Sequence, residues 1–137
     1  MHGFEVLVGP RVVADPDALD RATWHGDGLV VVLRLAPDDA FGIGADDVDV
    51  DDEHAIVVRE DGFVGRLFTP RAFEREVMPH IEWSIPSGRP ALAQGAVAGV
   101  PAKIWFTNEA GGAGGGGALV ITWAAYADEL AQRLRLP

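Results

Sequence analysis

No uninterrupted apolar run in the chain is longer than Leu29-Val30-Val31-Val32-Leu33, which is no longer than a β-strand. A helix that crosses a bilayer needs about 18 or more predominantly apolar residues, so no membrane span is expected. The run continues to Leu35 in the same style, rich in β-branched residues and without alternation, which is the pattern of a strand covered on both faces. This places 29–35 at the centre of a sheet and makes β-structure the organising element of the fold.

With 137 residues, 48% of them hydrophobic and 23% charged, the chain has the size and composition of one folded domain, 1–137, able to bury roughly two-thirds of its unfolded surface. Cysteine is absent, which removes disulfides, thiolate metal ligands and cysteine nucleophiles together. The opening residues Met1-His2-Gly3-Phe4-Glu5 lack the basic, apolar and small-residue regions of a secretory signal, so a cytoplasmic location is expected. A formal net charge of −10, from 21 acidic and 11 basic residues, repels phosphate backbones and anionic lipid heads. Nucleic acid and membrane surfaces are therefore not expected partners.

Along the chain, Phe4 to Val8 reads as a short edge strand ending at Gly9-Pro10. Asp15-Pro16-Asp17 supplies an N-cap, a proline at the first helical position and an acid in the first turn, predicting a short helix that ends near Trp24. Asp38-Asp39-Ala40 reads as an acidic helix or turn. Glu60-Asp61-Gly62 between two strand-like runs predicts a tight hairpin, and Thr69-Pro70 caps a helix that carries Phe73 and Val77. Residues 102–107 and 118–123 are strands by their β-branched and aromatic content. Trp123, Ala127, Leu130 and Leu134 make an apolar stripe at helical spacing, with Thr122 as its cap and Glu129 facing Arg133. Hairpins dominate this order. The fold class is α+β, a mainly antiparallel sheet with about three helices packed on one face.

The chemistry-bearing features are sparse. The run Gly111 to Gly117 joins two strands rather than opening a helix, and has neither the lysine nor the hydroxyl of a phosphate cradle; it reads as a flexible hairpin connector or, less simply, a lid. Asp49, Asp51, Glu53 and Glu60 copy part of an EF-hand spacing, but His54 stands where glycine is required and a strand follows where a helix should. No metal and no cofactor are expected. His80 lies beside Glu82, close enough in sequence for acid–base work, although a histidine ending a helix is favoured there by the dipole alone. The serines Ser84 and Ser87 do not sit in a nucleophile elbow. Trp83, Trp105, Trp123 and Tyr126 suit an aromatic pocket wall or an interface as well as a core. Lys103, the only lysine, sits within a strand, where it is either an outward charge or an amine made reactive by burial. Period-two alternation puts Ile104 and Phe106 on one side of that strand and Lys103 and Trp105 on the other. The site candidates are thus Trp105, Lys103, Trp123, Tyr126, Trp83 and His80, for ligand or interface.

Leu92-Ala93-Gln94, Val100-Pro101-Ala102-Lys103-Ile104-Trp105 and Ala125-Tyr126-Ala127-Asp128-Glu129-Leu130 resemble the closing section of the gamma subunit of heterotetrameric sarcosine oxidase, a relative of the aminomethyltransferase folate-binding fold. The resemblance covers residues 92 to 134 and carries over no catalytic residue. It implies an α+β domain with a non-catalytic, accessory role in a larger assembly. Together with the aromatic content, this favours a binding or accessory domain that acts through a partner subunit or as a homo-oligomer. The competing class is a small enzyme or small-molecule-binding protein with an aromatic-lined pocket.

If the acidic run is only a solvated edge, calcium leaves thermal stability unchanged, because a ligand of the folded state must raise the melting temperature by mass action. A saturable upward shift that disappears in Asp49→Asn/Asp51→Asn would contradict this.

Overall fold

The computed structural model describes residues 2–107 and 117–136; Gly111 to Gly116, and with them the connector reading of the glycine run, lie outside the described residues. The elements in chain order are β1 (Glu5–Val13), α1 (Pro16–Asp20), β2 (Thr23–His25), β3 (Val31–Ala36), β4 (Asp39–Ile43), β5 (Asp47–Asp49), β6 (Ile56–Phe68), α2 (Pro70–Glu76), β7 (Ala91–Val97), β8 (Val100–Phe106), β9 (Ala118–Trp123) and α3 (Ala127–Arg133), with short 3-10 turns at Met78–His80 and Ala124–Tyr126. The fold is mixed α and β with antiparallel strand pairs. None of the described helices is long and apolar enough to cross a membrane. The chain forms two compact units, Leu7–Gly62 and Phe63–Pro137 together with Met1–Val6.

In the Leu7–Gly62 unit the strand order is β3-β4-β1, beside a two-stranded ribbon of β2 and β5. Asp15 caps α1 as its sequence requires, accepting from the Asp17 N–H at 2.9 Å. The helix stops at Asp20, and Trp24 belongs to β2 instead. Its ring lies on Gly42 so closely that a Cβ there would fall 2.3 Å from it. β3 closes the strand order at one end rather than occupying the centre. Only Leu33 is buried in it, and Leu29, 86% exposed, precedes the strand. An unbroken apolar run identifies a strand without saying how many faces are covered, and Arg34 inside this one needs a polar outlet, which it finds at the Pro37 carbonyl, 2.8 Å away. Asp39 and Ala40 start β4, not a helix. β1 does not end at Gly9-Pro10 but runs on to Val13.

The Asp61-Gly62 hairpin does not form: β6 is continuous from Ile56 to Phe68. A two-residue hairpin needs positive φ at its centre, and Gly62 is not among the positive-φ glycines. Its N–H instead donates to Glu60 Oε2 at 3.0 Å, while Glu60 Oε1 accepts from Arg11 Nη1 at 2.8 Å. The same guanidinium grips Asp39 with two further hydrogen bonds, at 3.1 and 2.9 Å. The Asp39 bond is the main reason the Arg11 pKa is raised above its ordinary value.

The second unit has strand order β6-β9-β8-β7. Thr69 caps α2 by accepting from the Ala72 N–H. Phe73 from that helix and Val77 at its C-cap, and Ala127, Leu130 and Leu134 from the C-terminal helical segment, pack with Ala102, Ile104, Phe106, Ala118 and Val120 in one core. Phe106 meets Phe73 edge-on at 5.5 Å. The Leu19 side chain of α1 belongs to a different cluster, with Val12, Ala40 and Val48. The three α-helices therefore do not make a single layer on one sheet face: two serve one core and one serves another. Trp123 leaves the expected helical stripe, because it ends β9 and is 40% exposed. Thr122 is a buried strand residue that donates to the Pro101 carbonyl at 2.9 Å, not a helix cap. Glu129 and Arg133 do pair at 2.6 Å. The tight turn of this unit is at Ala98-Gly99, both with positive φ, between paired Val97 and Val100. Arg133 Nη1 donates to the Ala98 carbonyl at 2.7 Å and the Ala98 N–H donates to the His80 carbonyl at 3.0 Å, so two outside contacts hold an alanine where glycine or asparagine is preferred.

Since Phe106 is in the core with its ring against Phe73, Phe106→Ala is expected to cost roughly 3 to 5 kcal/mol, measured by urea denaturation. A loss under about 1 kcal/mol, the range of a surface change, would contradict the assigned facing.

Candidate functional site

Strand alternation sorts the second unit into two faces. Ala102, Ile104 and Phe106 point to the α2/α3 core, and Lys103 and Trp105 point away from it. On that opposite face the registers line up cross-strand rows. One row is Leu67, Leu119, Trp105 and Leu92. The next is Gly65, Ile121, Lys103 and Gln94, and beyond it Phe63 stands opposite Trp123 and Ala96 opposite Pro101. Cross-strand neighbours of this kind touch directly. The first row is wholly apolar, and Leu67 in it is 69% exposed.

A groove of about 320 Å³ runs between the second and third rows, lined by Phe63, Gln94, Pro101, Lys103, Ile121 and Trp123 among others. Its wall is an aromatic stack: the Phe63 and Trp123 rings are 4.0 Å apart and inclined by 19°. Lys103 Nζ lies 5.6 Å from the centroid of the Phe63 ring, within cation–π range, and donates to Gln94 Oε1 at 2.8 Å. The described lining contains no carboxylate. The described lining places one ammonium and one amide beside the aromatic stack, and no nucleophile–base pair stands among the described lining residues. No family model matches the chain, and no curated protein or solved structure matches it significantly.

The sequence candidates separate. Lys103 and Trp123 meet in this groove, and Trp105 stands in the apolar row beside it. Trp83 and His80 line a second groove, about 380 Å³, with Glu82 and Gly99. There Trp83 Nε1 donates to the Ala96 carbonyl at 2.8 Å, and its indole crowds Gly95, where a Cβ would come within 2.6 Å. Trp83 thus covers part of β7 and is held as a structural element. His80 closes the 3-10 turn, and its carbonyl serves the Ala98 turn. Tyr126, 38% exposed in the Ala124–Tyr126 turn, lines neither groove. Phe63 and Gln94 were not candidates from sequence. Only register identifies them, since Phe63 pairs with Trp123 and Gln94 with Lys103.

The acidic run is spread over structural tasks in the first unit. Asp49 Oδ2 accepts from His25 Nε2–H at 2.8 Å. Asp52 receives the backbone N–H of Asp15 at 2.8 Å and of His54 at 2.9 Å. Among the described residues no group of three or more His, Asp or Glu side chains gathers to hold a metal. The two backbone donors, Asp15 first, lower the Asp52 pKa. A carboxyl with a depressed folded pKa contributes stability above its unfolded pKa, near 3.9, and loses it as pH falls through the folded value. The melting-temperature gap between wild type and Asp52→Asn is therefore present at pH 7 and closes below about pH 4. A gap that widens on acidification would contradict this role.

Proposed function

We propose that the chain is a non-catalytic accessory or binding domain that acts by protein association through the sheet face opposite α2 and α3. The observation that carries this reading is the cross-strand row Leu67, Leu119, Trp105 and Leu92, an uncharged strip with Leu67 69% exposed. Tryptophan flanked by aliphatic side chains is the composition of an interface hot spot. The resemblance of 92–134 to an accessory subunit of a heterotetramer supports the same class. A second reading, a small enzyme or small-molecule-binding protein with an aromatic-lined pocket, is favoured by the Phe63–Trp123 stack and Lys103.

Native mass spectrometry of protein purified from its own host tests the first reading. Wild type is expected to carry a second copy or a partner chain. Trp105→Ala, with stability changed far less than by Phe106→Ala, is expected to lose it through an affinity drop of about 30-fold or more, as for a hot-spot truncation. A wild-type monomer with no bound protein, or association undiminished in Trp105→Ala, would contradict the proposal.

A further inference from the structure

We infer that the first half of β6 is a self-pairing edge: residues 56–60 add antiparallel to the same residues of a second copy of this chain, about a two-fold axis at Val58. The inference stands apart from the association proposed for the Trp105 row, which lies in the other unit; what Trp105→Ala displaces is the chain seated on that row, not this strand pair.

Ile56, Val57 and Val58 are 60%, 50% and 52% exposed. Successive residues of a strand point to opposite faces, so neither face of this stretch is covered. Its two edges differ. β1 is the neighbour of β6 in the strand order, whereas β9 pairs with β6 only from Phe63 to Phe68. Residues 56–62 belong to the Leu7–Gly62 unit and have no strand on their second edge among the described residues. An open edge of β-branched apolar residues, with neither a proline nor a charge in 56–58, is a template for another strand.

The order of charges along the strand, Ile56-Val57-Val58-Arg59-Glu60-Asp61, selects the occupant. A two-fold axis makes the contact isologous, so its position fixes the register. Centred on Val58, it sets Val58 of one copy against Val58 of the other, Val57 against Arg59 and Ile56 against Glu60. No two like charges then stand directly opposite, and the aliphatic stems of Arg59 and Glu60 lie over the valine and isoleucine. Centred on Arg59 or on Glu60, the axis would set two guanidiniums or two carboxylates face to face, and the Glu60 carboxylate is already held by Arg11 and the Gly62 N–H. A strand pair this short buries less than the ~800 Å² per partner of a standard interface, which makes the dimer a reversible one at micromolar concentration. Each copy carries a net charge of −10, so added salt tightens the pairing by screening that repulsion. A basic strand from a different protein on the same edge would be weakened by salt instead.

The test uses the full chain produced alone. The chain has no cysteine, so a single introduced thiol reports on its own symmetry mate. Two copies of a residue on the axis stand about 4.5–5.5 Å apart between Cα atoms, within disulfide reach, while two copies of residue 56 are offset by roughly 13 Å along the strand. Under mild oxidation Val58→Cys is expected to cross-link about 10-fold or more faster than Ile56→Cys or Leu29→Cys; Leu29, 86% exposed in the same unit, gives the rate of random collision. Sedimentation of wild type is expected to show a monomer–dimer equilibrium that tightens with salt, persists in Trp105→Ala, and is weakened about 10-fold or more by Val58→Lys, which sets two ammoniums face to face. Equal cross-linking of the three thiols, or faster cross-linking at residue 56, would overturn the pairing. A wild type that stays monomeric at every concentration up to millimolar would overturn it too. Dimerisation lost in Trp105→Ala but kept in Val58→Lys would seat the second copy on the apolar row, overturning this inference while leaving the proposed function standing.

Discussion

Strand β8 has to divide its side chains between two faces, because the side-chain period of a strand is two. The core between the sheet and helices α2 and α3 takes Ala102, Ile104 and Phe106, and Phe73 packs edge-on against Phe106. Once those three are committed, Lys103 and Trp105 have no route into that core. The register to β9 and β7 then sets what stands beside them: Ile121 and Gln94 next to Lys103, Leu119 and Leu92 next to Trp105. The groove and the apolar row are consequences of a core packed on the other side. A one-residue slip of β8 would exchange the two sets at once.

Several contacts hold this register. The Ala98-Gly99 turn fixes β7 against β8, and it is held from outside by the Arg133 side chain and the His80 carbonyl. Thr122 ties β9 to β8 through the Pro101 carbonyl. The indole of Trp83 bonds to Ala96 on β7 and covers strand backbone that would otherwise invite pairing. The aromatic residues therefore divide by task. Trp83 serves the strand edge, Phe106 the core, Trp123 the groove wall and Trp105 the apolar row.

Local chemistry was legible in the sequence, and long-range partnership was not. The Asp15 and Thr69 caps act within a few residues of themselves, and both helices start where those residues predict. Asp61-Gly62 has the composition of a turn, but the Gly62 donor goes to Glu60, whose own partner Arg11 is 49 positions away; nothing near Asp61 shows that. Leu29 to Leu35 carried strand propensity without information on coverage, and Arg34 decided against the sheet centre. Trp123 sits at helical spacing from Ala127 by coincidence of position, since the strand ends just before the helical segment begins. On the functional face, alternation along one strand separated Trp105 from Phe106 correctly, whereas Phe63 and Gln94 emerge only from pairing between strands.

The most direct measurement of whether this face is a binding surface is hydroxyl-radical footprinting of host-purified protein against the same chain produced alone. A binding face requires Leu67 and Trp105 to be modified in the lone chain and protected in the host-purified material, with Phe106 unmodified in both. Equal modification of Leu67 and Trp105 in the two samples would show that nothing covers this face and would contradict the proposed role.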